Sequence, residues 1–172
     1  MNDSARDLAG VRAGVLTASD TGARGEREDQ GGPAIRAALE ARGAEVAFYR
    51  VIPDERDQIA TLLRHVADEL GLDVAFTTGG TGLSPRDVTP QATLEVLDYQ
   101  VPGVAEALRA TGRAKTPFAA LSRQVVGVRG RTLIVNLPGS PKAVREGLEV
   151  VLPVLAHAVA TLRGSVGDHA RQ

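Results

Sequence analysis

The sequence predicts a single doubly wound α/β domain: one mostly parallel sheet with helices on both faces. Three observations carry that prediction. Short, compact apolar runs alternate with segments of helical periodicity, the pattern of strand, crossover helix and strand. The apolar runs suit strands buried on both faces. The polar and glycine-rich loops follow the strands, at the end where open parallel sheets gather ligands.

Val11 to Thr17, VRAGVLT, reads as a buried strand that empties into the polar turn Ser19-Asp20-Thr21-Gly22. The loop stays charged and glycine-rich through Gly32. From Pro33, AIRAALEARG places Ile35, Leu39 and neighbouring alanines on one helical face and stops at Gly43, a C-cap. A strand follows over Glu45 to Ile52 and ends at Pro53-Asp54. Ile59, Leu62, Leu63, Val66 and Leu70 then recur at helical spacing until Gly71. Val74 to Thr78 is a strand running directly into Gly79-Gly80-Thr81-Gly82, and Thr89-Pro90 reads as the cap and first residue of the next helix. Pro102 to Gly112 holds a further helix and Thr132 to Leu137, TLIVNL, a further strand. Ser140 as N-cap and Pro141 at the first position start a long terminal helix, expected to bend or break near Pro153. The α/β domain is expected over 11–163, between flexible segments 1–10 and 164–172, with no internal repeat.

Composition excludes several functions. A chain of 172 residues, 43% hydrophobic and 24% charged, suits one well-filled core. Twenty Lys and Arg against 21 Asp and Glu leave no broad positive field for a nucleic-acid backbone or an anionic membrane. With 3% aromatics there are few stacking platforms for single-stranded nucleic acid. No cysteine is present, and His65, His157 and His169 lie far apart, which argues against a zinc site. The start MNDSARDLAG carries acids and no apolar signal-peptide core, and the stretch Val150 to Leu162 is too short to span a bilayer. A cytoplasmic location is the expectation.

An anionic ligand must therefore be held locally, and two loops suit that task. In Thr77-Thr78-Gly79-Gly80-Thr81-Gly82 the glycines let backbone N–H groups approach a ligand closely. No lysine follows as in a Walker loop, and the GxGxxG dinucleotide pattern is not matched; a plain tight turn is the alternative. Asn136-Leu137-Pro138-Gly139-Ser140-Pro141 sets a glycine and a capping serine at a helix N-terminus, where free N–H groups favour phosphate or an ordinary cap. Asp20, Asp29, Asp54 and Asp87 all follow predicted strands, and carboxylates beside a phosphate cradle suit a hard cation such as magnesium. Asp54 is equally placed to cap the helix beginning near Glu55, and Asp87 to shape its turn or pair with Arg86. Lys115 and Arg123 are available to neutralise phosphate, or to sit on solvated surface.

Taken in order, SDTGARGEREDQGGP, VIPDE, TTGGTGLSPRDVTPQAT, ALSRQV and LPGSPKAV resemble the MogA/MoaB family of molybdenum cofactor biosynthesis proteins, from about Val11 to Leu162. The resemblance implies a molybdopterin-binding-like fold and transfer of AMP from Mg-ATP to the phosphate of molybdopterin, giving adenylyl-molybdopterin and pyrophosphate. It puts the family's two important aspartates on Asp54 and Asp87, as catalytic residues that position magnesium and the reacting phosphates. It further implies substrate binding by Ser19, Asp20 and Asp29 of the first loop, by Thr78, Gly79, Gly80, Thr81 and Gly82, and by Ser122, Asn136, Gly139 and Ser140.

The implied partners are molybdopterin and ATP, with Mg²⁺ accompanying ATP and no tightly bound organic cofactor. The resemblance also implies a homotrimer or homohexamer and hand-over of the product to a molybdenum-inserting protein. A competing reading is a molybdopterin-binding carrier or scaffold without adenylyltransferase activity. A different enzyme on a related nucleotide-binding fold is a third.

Overall fold

The computed structural model describes residues 7–165. Four strands form the parallel centre of one sheet: β1 (Arg12–Ala18), β2 (Glu45–Ile52), β3 (Val74–Thr78) and β6 (Thr132–Leu137). Two short strands, β4 (Tyr99–Gln100) and β5 (Val126–Arg129), extend it on the β6 side in antiparallel sense, giving the order β2-β1-β3-β6-β5-β4. The mostly parallel, doubly wound sheet predicted from sequence is therefore present. The antiparallel extension is an addition to it.

The helices are α1 (Asp20–Ala23), α2 (Gly31–Ala41), α3 (Arg56–Arg64), α4 (Thr89–Val96), α5 (Pro102–Arg113) and α6 (Pro141–Leu162), with a 3₁₀ turn over Pro117–Leu121. Alternation along each strand sends side chains to two separate cores. Val15, Val74, Phe76 and Val135 meet Ile35 and Leu39 of α2, Leu108 of α5, and Val144 and Leu148 of α6. Their neighbours Leu16, Ala75 and Ile134 meet Ile59 and Leu63 of α3 and Ala92 and Val96 of α4 on the opposite face.

Three local expectations change. The helix expected to run to Leu70 ends as α-helix at Arg64 and widens into a π-turn over His65–Glu69. Val66 of that turn packs on Gly14, where a Cβ would lie only 3.0 Å from its Cγ1. α6 is unbroken at Pro153, because the proline faces solvent while Val151, Leu152 and Leu155 around it are buried, and that packing offsets the missing hydrogen bond. The packed body also begins before Val11: Leu8 is fully buried, its N–H donates to Arg42 O at 3.1 Å, and Asp7 pairs with Arg42. The remainder of the expected flexible ends, 1–6 and 166–172, lies outside the described residues, as does His169.

Register places the functional rim. Ala18 lies opposite Ile52, Thr17 opposite Thr78, and Thr78 opposite Leu137, so four strands end level. The loops after them open side by side around the β1/β3 boundary, where connections leave the sheet in opposite directions and ligands bind.

Candidate functional site

A cleft of about 400 Å³ lies on that rim. Among the residues named from sequence, Ser19, Asp29, Asp54, Thr78, Gly79, Gly80, Asp87, Gly139 and Ser140 line it. The glycine loop forms its floor. Gly79 and Gly80 hold φ of +93° and +65°, and side chains there would strike the Ala18 carbonyl and the Thr89 hydroxyl respectively. The Gly79 N–H donates to Leu137 O at 3.2 Å, and Thr78 Oγ1 donates to Pro138 O at 2.8 Å, which ties this loop to the start of α6. The N–H groups of Gly80, Thr81 and Gly82 donate to no acceptor among the described residues, so they remain available to an anion.

Asp54 follows β2 and stands beside Gly80. Its Oδ2 accepts the Asp20 N–H at 2.9 Å, while Oδ1 is buried and has no partner among the described residues. Burial raises its pKa above the ordinary aspartate value, opposed by the Asp20 N–H and reinforced by the neighbouring carboxylates of Asp20 and Asp87. Asp87 Oδ2 accepts the Ser84 N–H at 2.9 Å. A buried carboxylate oxygen without a donor, close to a second carboxylate and above free N–H groups, fits a divalent cation shared with a phosphate ligand. No group of three or more His, Cys, Asp or Glu forms a metal cage among the described residues.

The structure gives other predicted residues different tasks. Asp20 does not line the cleft: Arg86 grips its carboxylate with Nε and Nη2, both at 3.0 Å, and this hydrogen-bonded pairing lowers its pKa. Arg86 also reaches Glu55 at 2.7 Å, joining the loops after β1, β2 and β3. Asp29 lines the cleft with a saturated carboxylate, accepting from Thr17 Oγ1, Tyr49 Oη and the N–H groups of Gly31 and Gly32, so it caps α2. Burial, with Asp29 beside it, pushes the Tyr49 hydroxyl up to about 12. Asn136 is fully buried beneath the rim. It donates to Thr77 and Thr93 at 2.9 Å each and accepts the Val125 N–H at 3.1 Å, which makes it a brace and not a cleft residue.

Thr81, Gly82 and Ser122 line a second, more apolar cleft of about 230 Å³, bounded by Leu108, Phe118 and Leu121. It shares the glycine loop with the first cleft and lies across it. Lys115 lines neither cleft, and Arg123 spends its guanidinium on backbone carbonyls of Gly82 and Asp87. The sequence reading missed Arg27, the cation in the first cleft, and Gln124 in the second. Arg27 lies two residues before Asp29 and Gln124 two after Ser122, so each sits inside a motif already singled out. Nothing in the residue types alone marked them.

A doubly wound sheet with a carboxylate-flanked anion cradle at its switch point defines an α/β domain for phosphorylated ligands. The particular kind comes from comparison. A family described as a probable molybdopterin binding domain matches residues 14–157, and the chain belongs to it. A protein of Helicobacter pylori strain J99 named molybdopterin adenylyltransferase is 43% identical over 157 residues, covering 90% of this chain and 89% of that one. One so named from Escherichia coli K12 is 42% identical over 144 residues, covering 82% and 73%. The crystal structure of a molybdopterin biosynthesis enzyme, MoaB of Thermus thermophilus, superposes with a TM-score of 0.85 at 58% identity, covering 90% of this chain and 97% of that one. The resemblance to the MogA/MoaB family and its fold is borne out.

Proposed function

We propose that this protein is a molybdopterin adenylyltransferase, transferring AMP from Mg-ATP to the phosphate of molybdopterin and releasing pyrophosphate. The observation that carries the reading is the meeting, in one cleft, of the free Gly80 N–H with the unpartnered Oδ1 of Asp54, while the free N–H groups of Thr81 and Gly82 continue the same loop into the second cleft. A carrier needs the cradle, but it has no need of a buried carboxylate oxygen left without a partner beside it. The chain is also 41–43% identical to proteins named for this activity.

In the reaction, a phosphate oxygen of molybdopterin attacks the α-phosphorus of ATP. The new P–O bond forms as the bond from that phosphorus to the β-phosphate bridging oxygen breaks, and pyrophosphate departs with the electron pair. Asp54 and Asp87 would hold magnesium, whose bound form neutralises charge on the triphosphate. The chain itself supplies position. The N–H group of Gly80 stabilises the transferring phosphoryl oxygens, and the α6 N-terminus at Gly139 and Ser140 faces the same charge. The second cleft, apolar and adjoining, takes a flat heterocycle.

Assembly as a trimer or hexamer and a cytoplasmic location belong to the same proposal; no helix among the described residues is long and apolar enough to cross a membrane. Exposed Leu83, Phe118 and Val154 are consistent with self-association. The product would pass to a molybdenum-inserting protein. The test is incubation with molybdopterin, ATP and magnesium followed by mass detection of the pterin. Adenylylated pterin with matching pyrophosphate supports transfer, whereas bound but unmodified pterin would establish a carrier.

A further inference from the structure

Asp87 projects from an exposed excursion, Leu83 to Arg86, that contains no helix or strand. Within it, Asp87 is held only by exchange with Ser84: each N–H donates to the other residue, at 2.9 Å. Arg86 ties the tip of the excursion to Asp20 and Glu55, and the two ends of the excursion are closed from outside by a second side chain, Arg123. Arg123 Nε donates to Gly82 O at 2.7 Å, Nη2 donates to Asp87 O, and its backbone N–H donates to Thr81 O at 2.9 Å. The guanidinium fork thus bridges the two ends of the excursion. Its sequence neighbours Ser122 and Gln124 line the second cleft.

We propose that Arg123 is a positioning residue for the adenylyl transfer, fixing Asp87 over the first cleft and at a set distance from the ligand in the second. This rests on the adenylyltransferase reading above. A planar fork spans two carbonyls in one geometry, whereas an ammonium is a single point charge on a flexible stem. Arg123→Lys therefore keeps the charge and loses the bridge. Arg123 contacts no reacting atom in this arrangement, so its effect passes entirely through Asp87 and the loop that carries it.

The first measurement is amide hydrogen exchange on the unliganded protein. Arg123→Lys should accelerate exchange across residues 82–89 and leave the Asp20 and Asp54 loops as they are. The second is the single-turnover rate with molybdopterin, ATP and magnesium. Arg123→Lys should lower it about 10- to 100-fold, as loss of an outer-shell partner does, with molybdopterin affinity retained. In the Asp87→Asn background the same substitution should lower the residual rate no further. Should Arg123→Lys melt below the assay temperature, Arg123→Gln, which reaches only one carbonyl, takes its place with the same expectations. Unchanged exchange over 82–89, or a rate loss of equal size with and without Asp87, would overturn the proposal. A wild-type protein without transfer activity would remove the adenylyltransferase reading and, with it, the assigned role, while the exchange result would still show whether Arg123 holds the loop.

Discussion

Asp20 and Asp54 cap each other. The Asp20 N–H donates to Asp54 Oδ2 at 2.9 Å and the Asp54 N–H donates to Asp20 Oδ1 at 3.0 Å, so the loops after β1 and β2 are joined through two reciprocal bonds. Arg86, one residue from Asp87, completes the junction by gripping Asp20. Three loops from three strands are thereby tied to the residue that presents an unpartnered oxygen to the cleft.

Asp20→Asn tests that junction. Asparagine preserves an acceptor for the Asp54 N–H but loses the charge that holds Arg86, so transfer should fall about 10-fold with the fold intact. The Asp20 pKa is lowered by Arg86, so its stabilising contribution is present above the ordinary aspartate value and is lost as pH falls through the lowered one. Melting curves of the wild type should decline in that acidic window, and those of the variant should decline less.

Asp54→Asn should abolish transfer and raise stability. Burial raises the Asp54 pKa, so the folded state holds its proton more tightly than the unfolded chain, and stability drops as pH rises from the ordinary value through the raised one. Removing that ionisation should raise Tm at pH values where the wild-type carboxyl is charged. Thermal melts across pH check it: the gain should vanish at acidic pH, where the wild-type carboxyl is already neutral.

Gly80→Ala should damage the site more than its size suggests. The added carbon meets the Thr89 hydroxyl and lies 3.0 Å from Asp54 Oδ1, in a backbone conformation that disfavours alanine. A stability loss of about 1–2 kcal/mol is expected with weaker ligand binding. Calorimetric titration with molybdopterin and a denaturant melt separate the two effects.

Asn136→Ala distinguishes a brace from a ligand contact. It would strand the buried Val125 N–H and the Thr77 hydroxyl, while Thr93 keeps its bond to Thr89 O, at a cost of about 2–4 kcal/mol. Urea unfolding should show that loss, while the molybdopterin affinity of the remaining folded protein should change little.

The central strands and their crossover helices were legible because strands buried on both faces leave compact apolar runs, as Val74 to Thr78 and Thr132 to Leu137 do. β5 was missed although Gly130-Arg131 makes a two-residue link to β6, because its four residues are too few to declare a period. β4 is two residues long and is defined only by its partner. The site divides the same way. Glycine loops and helix caps are local in sequence, so the cradle and Ser140 were readable. That Asn136 turns inward, that Asp29 is saturated by Tyr49 and Thr17, and that Arg123 closes the Asp87 loop depend on contacts between distant segments, which no local pattern encodes.

Asp87 is the most direct test of the account. Asp87→Asn keeps the acceptor for the Ser84 N–H, so the loop should hold its shape while the charge owed to magnesium is gone. The measurement is the single-turnover rate of adenylyl-molybdopterin formation, with molybdopterin affinity determined separately. A rate about 100-fold or more below wild type, at unchanged affinity and partly restored by raised magnesium, is the predicted result. A rate close to wild type would contradict it and leave Asp87 as a turn residue only.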